Sequence, residues 1–263
     1  MQNSNYPSVP AFELIGNVLP TLKPFFEFIA FLSRPENAKA IRQALEDTER
    51  FFREQDRALL AFAVNNRWIG LERHFTSEQL LLLMRFATEN GADAANARVP
   101  EFFRIERIEE MVTKWDAIPY LRCRQKIYLD AIEGYRQGLH TLVVPALLPL
   151  AEGLAAEIVP GNAHRTDTVT RAAKVQVNHS VSDDDFGAAT LAVLEDSYYL
   201  YTNFTQPATP GMFNRHRILH GRSADYASAS NSIRAFLLVD TVAEMWSCVT
   251  ASTGVQGGQV AAP

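Results

Sequence analysis

The sequence predicts an all-α protein, in which a C-terminal helical bundle follows additional N-terminal helices. Three observations carry this. Apolar residues recur at steps of three and four along most of the 263 residues. No stretch alternates apolar and polar residues long enough to build a substantial sheet. Gly, Pro and Asn cluster at the ends of the periodic stretches, where helices start and stop.

The elements follow in chain order. Residues 12–32 carry an apolar stripe through Phe12, Ile15, Leu19, Leu22, Phe26 and Ile29, with kinks expected at Pro20 and Pro24. Residues 36–63 contain no Gly or Pro and form one long amphipathic helix through Ala38, Ile41, Leu45, Phe52, Leu59 and Phe62. Ser77-Glu78 opens a helix that Asn90-Gly91 stops. A short charged helix spans 104–114, and a long one spans 121–143. Pro145 and Pro149 sit inside the next pattern, 145–158, which Pro160-Gly161-Asn162 closes. Residues 162–186 read as a long surface connection with one β-like stretch, Lys174–Val177, and a solvated Asp183–Asp185 run. Helices resume at 187–205, 211–221 (ended by Gly221) and 229–250. A soft division at Trp115–Pro119 gives an N-terminal helical region, 1–115, and a bundle, 116–251; residues 252–263 read as a disordered tail.

Composition narrows the function classes. With 47% hydrophobic and 21% charged residues, the chain has globular proportions. A net charge of −5 argues against a broad basic surface for nucleic acid, so any polyanion must meet a local positive site. Cys123 and Cys248 fit neither a disulfide framework nor a zinc spacing, which suits a reducing compartment. The apolar run Phe25–Leu32 is short and broken by Glu27, and residues 1–10 carry no positive charge. The expectation is a soluble, cytoplasmic protein that does not meet a membrane.

Most catalytic signatures are absent: no phosphate-binding Gly-rich loop, no H-E-x-x-H and no G-x-S-x-G. One segment stands out. Phe213-Asn214-Arg215-His216-Arg217-Ile218-Leu219-His220-Gly221-Arg222 gathers arginines and histidines in an otherwise acidic chain. Guanidinium groups neutralise and orient a phosphate, and an imidazole moves a proton near neutral pH. Two duller readings remain. Cations at a helix end also suit its dipole. His216 and His220, one turn apart, could hold zinc, but that needs further ligands and no acid lies between them.

Arg215 and His220, with His216 following the arginine, resemble the R-x4–6-H motif of the HEPN superfamily. Arg67 and His74 match the motif at its six-residue spacing, but Trp68 follows that arginine. Around residue 215 the phrase N-R-x-x-x-x-H-G, a polar turn at Asp225-Tyr226 and a final apolar helix are similar to HEPN proteins of the phage-defence and toxin type. Upstream, Tyr135, Gly138, Pro145-Ala146-Leu147-Leu148 and Glu152-Gly153 resemble the helix pair that precedes the motif in that family. The likeness covers about residues 120–250.

The resemblance implies a metal-independent, cofactor-free endoribonuclease acting as a toxin or abortive-infection effector. Arg215 would stabilise charge on the phosphate, His220 would transfer a proton, and His216 would assist. Asn214, Arg217 and Arg222 would contact the substrate, and Glu152 would orient Arg215. The partners implied are RNA, a second copy docked through the bundle on a two-fold axis, and a neutralising or sensor protein. The alternative is a non-catalytic module of the same kind that binds a nucleotide, RNA or protein.

Overall fold

The structure is a computed structural model that describes residues 34–159, 168–179, 185–199, 205 and 213–253. The stripe at 12–32, the stop at 160–162, Asp183, Asp184 and the tail beyond 253 lie outside the described residues. The described part is 83% helical and contains no strand. The chain divides into two compact units, Met1–Asp56 and Arg57–Pro263.

Helix α1 (Pro35–Asn65) belongs to the first unit as far as Asp56 and to the second from Arg57. In the first unit Leu45 is 65% exposed and Phe52 55%, while Ile41 is half-buried. In the second unit Leu59 and Phe62 are buried.

The second unit continues with α2 (Leu71–His74), α3 (Ser77–Asn90), α4 (Ala92–Phe102) and α5 (Ile105–Thr113). A single 3-10 turn (Lys114–Ala117) then leads to α6 (Pro119–Arg122), α7 (Gln125–Arg136) and α8 (His140–Ile158). The remaining helices are α9 (Thr168–His179), α10 (Asp185–Val193), which a π-helical turn (Leu194–Tyr198) continues, α11 (Arg215–Leu219) and α12 (Ala229–Thr253). Trp115–Pro119, where the sequence suggests a soft division, lies inside this unit. Trp115 is fully buried, edge-on to Tyr128 and tilted over Phe236.

The core forms around α8, which packs against α12 most extensively and against α7 and α9. Val143, Val144, Leu147, Leu148, Leu150, Ala151 and Leu154 are all buried along it. It is the one described helix long and apolar enough to cross a bilayer, yet half of that stretch is buried inside the protein, as a central bundle helix requires. Pro145 cannot donate to the Thr141 carbonyl one turn back. The Tyr226 hydroxyl donates to that carbonyl instead, at 3.1 Å, tying the segment after α11 to α8.

Two expectations are corrected. The helix expected over 121–143 is broken at Gly138, whose φ of 71° ends α7. Leu139 N bonds Gly134 O and Gly138 N bonds Tyr135 O, the paired bonds of a Schellman stop. The surface connection expected over 162–186 contains α9, so Lys174–Val177 is helical, not β-like. Val169, Ala172 and Ala173 bury a narrow face of small residues that too few large side chains advertise.

Candidate functional site

The site is built on α11, a helix too short to hold itself and fixed at both ends by local chemistry. Asn214 is its N-cap: the side-chain oxygen accepts from Arg217 N at 3.0 Å. Gly221, at φ 64°, is its stop, with Gly221 N bonded to Ile218 O and Arg222 N to Arg217 O. Phe213 packs under it against Tyr198, ring centroids 4.6 Å apart. Arg217 and Ile218 turn inward and are buried.

Arg215, His216 and Leu219 are half-buried, Leu219 packing against the core, and His220 is exposed. Arg215 meets Glu152 of α8 in a two-pronged pair, Nε to Oε1 and Nη2 to Oε2, the second at 2.8 Å. Such a pair fixes the plane of the guanidinium as well as its position. The Glu152 hydrogen bond also raises the pKa of Arg215, against the opposing effect of burial.

The His216 and His220 rings meet edge to face, centroids 4.7 Å apart. Burial lowers the pKa of His216, and the charges of His220, Arg215 and Arg217 lower it further. Near neutral pH this imidazole therefore favours its neutral, proton-accepting form. Among the described residues no group of three or more His, Cys, Asp or Glu could hold a metal, so no third ligand joins this pair.

The structure gives two expected contact residues other work. Asn214 is fully buried as the helix cap and Arg217 is only 6% exposed, so neither lies where a substrate would touch it. Burial of the cap, not its polarity, decides this. Arg222 remains exposed. Asp225, the nearest following acid, accepts from Ser223 Oγ at 2.7 Å.

Tyr199 is the residue that the sequence underrates. Its hydroxyl is buried and has no hydrogen-bond partner among the described residues, and burial followed by the charge of Glu152 holds its pKa well above 10.0. It sits within electrostatic reach of both Glu152 and Arg215. Its neighbour Tyr198 is a core residue whose hydroxyl donates to Arg67 O at 3.0 Å.

The glycine beside Glu152 is equally constrained. A Cβ on Gly153 would overlap the Tyr120 hydroxyl, so only glycine lets α8 pass this ring. No family model matches the chain, and no curated protein or solved structure gives a significant match.

Proposed function

We propose that the chain is a metal-independent endoribonuclease of HEPN type, acting as a toxin or abortive-infection effector against RNA. One observation supports this above the others. Glu152 holds the Arg215 guanidinium in a fixed plane, on the same short helix that presents the His216–His220 ring pair.

The reaction needs no cofactor because RNA carries its own nucleophile. The 2′-oxygen forms a bond to phosphorus, the bond from phosphorus to the 5′-oxygen breaks, and the 2′-hydroxyl proton is transferred, in net, to the leaving oxygen. His220, the exposed imidazole, handles the proton, and His216 assists from its neutral form. Arg215 stabilises the charge that builds on the non-bridging oxygens, an interaction strongest in the transition state. The products are a 2′,3′-cyclic phosphate and a 5′-hydroxyl. A second copy docked through the bundle would complete a thin site by bringing two motifs together.

The test uses purified protein with RNA in the presence of a chelator. Cleavage with cyclic-phosphate ends, no cutting of DNA of the same sequence, and loss in Arg215→Ala and His220→Ala are expected. Absence of cleavage, or cleavage that survives both substitutions, ends the proposal. Growth arrest on expression, relieved by His220→Ala, is the matching cellular outcome.

A second reading draws on one observation. Glu152 already occupies Nε and Nη2 of Arg215, which reduces what the guanidinium can offer a phosphate. A non-catalytic module that binds a nucleotide, RNA or protein would show saturable binding, weakened by Arg215→Ala, with no cleavage.

A further inference from the structure

The first compact unit presents an apolar helix face with a charge pattern along its edge. Over Pro35–Asp56, α1 carries Ile41, Leu45, Thr48, Phe52 and Gln55 at alternating steps of three and four, the spacing of a two-helix seam. Leu45 is 65% exposed, Phe52 55% and Phe51 48%, and the two phenyl rings meet edge to face at 5.8 Å. Exposed large apolar residues grouped on one helix face mark an interaction surface.

We propose that this face pairs antiparallel with the same face of a second copy of the chain. The charges select both the partner and the register. In a two-fold antiparallel pairing, Leu45 sits over the partner's Thr48 and Phe52 over the partner's Ile41. Phe51, at the edge of the seam, covers the partner's Ala44, a large side chain against a small one. Arg42 then faces the partner's Glu49, and symmetry makes that ion pair twice. A slip of seven residues one way sets Glu49 against the partner's Glu49. A slip the other way sets Arg42 against the partner's Arg42. Both put like charges together, so one register is favoured. Within its own helix Glu49 pairs with Arg53, which is exposed and can share the carboxylate.

The area sets the strength. Each half-exposed phenylalanine contributes roughly 100 Å² and Leu45 a similar amount, so both copies together bury roughly 600 Å². That is about half of what a stable complex needs, so the pairing is weak and depends on concentration. It is independent of the proposed ribonuclease reading.

The experiment is sedimentation of the full chain from roughly 1 µM to 1 mM. Reversible association is expected, half-complete above roughly 10 µM. If the chain also pairs through its C-terminal helices, this step appears as dimer to tetramer. Phe52→Asp weakens it at least tenfold, and Leu45→Glu, a second exposed position, does the same. Helix content by circular dichroism stays unchanged in both. Arg42→Glu and Glu49→Arg each weaken it several-fold, and the double reversal restores it to within twofold. A single species at every concentration overturns the proposal, as does association indifferent to Phe52→Asp or a double reversal that rescues nothing. A covering segment of the same chain would leave that single species.

Discussion

Two segments of the chain fall within the same R-x4–6-H range, Arg67–His74 with six intervening residues and Arg215–His220 with four, and the fold uses them in opposite ways. In Arg67–His74, the arginine ends α1. It sits in the left-handed region at φ 59°, with Trp68 N bonded to Ala63 O and Arg67 N to Val64 O. The buried Arg234 donates to Asn66 O at 3.1 Å and stacks 3.9 Å over Trp68, so a second arginine anchors that stop. His74 points into the core and bonds Asp240 Oδ2 at 2.9 Å, while Trp115 Nε1 donates to the other oxygen at 3.0 Å. In Arg215–His220, the arginine keeps its carboxylate partner beside it and the histidines face each other. A histidine buried against a carboxylate is a strut between helices. His216, half-buried beside cations, favours its neutral form, and His220 stays exposed beside it. Spacing alone cannot separate the two; the partner of each imidazole does.

The largest expected difference is in cleavage. On the proposed reading, His220→Ala or Arg215→Ala lowers the single-turnover rate on RNA by roughly 10²–10⁴-fold. His74→Ala leaves the rate of the folded protein within about twofold. Equal losses from both segments would erase the distinction.

Stability should reverse the order. His74→Ala strands a largely buried Asp240 carboxylate and costs about 3 kcal/mol in denaturant unfolding. His220→Ala, at an exposed ring, stays within about 0.5 kcal/mol. Asn214→Ala falls between them at about 1 kcal/mol, because it removes a buried cap. Arg67→Gly goes the other way and stabilises by about 1 kcal/mol, since glycine adopts the left-handed region without strain.

The smallest effects are in pH. Burial, followed by nearby positive charge, depresses the folded pKa of His216, so the unfolded chain binds the proton more readily there. Stability from this term is present above the ordinary value of 6.5 and declines as pH falls below it. Burial alone would raise the pKa of Asp240, but the hydrogen bond and charge of His74, the charge of Arg73 and the Trp115 N–H hold it below 3.8. Its contribution persists above that value and is lost as pH falls further, through the folded pKa. Unfolding curves across pH should show two separate declines. Replacing His216 with Gln should soften the upper one and leave the lower untouched.

How much was legible depends on how local each feature is. The start of α3 at Ser77 and its end at Asn90-Gly91 stand in the sequence because capping involves residues a few positions apart. The stop at Gly221 is legible for the same reason. Gly138 carries the same geometry, yet the apolar pattern continues past it, because a lone glycine does not announce a stop. Helix α9 is hidden in the sequence because alanines and threonines bury a face without large side chains. The gathering of Arg215, His216 and His220 on one turn needed only the helical period.

The sequence by itself determined an all-helical chain, most of its stops and one turn of cations and imidazoles, because each of these rests on neighbours within one or two turns. Only the tertiary structure decided which of those groups face outward. Asn214 and Arg217 were drawn into the interior, and Glu152 was brought to Arg215 by the packing of α8. His74 was carried to Asp240, far along the chain. The physical reason is common to all of them: burial and ion pairing depend on how helices pack, and a residue's own neighbours in sequence do not contain that information.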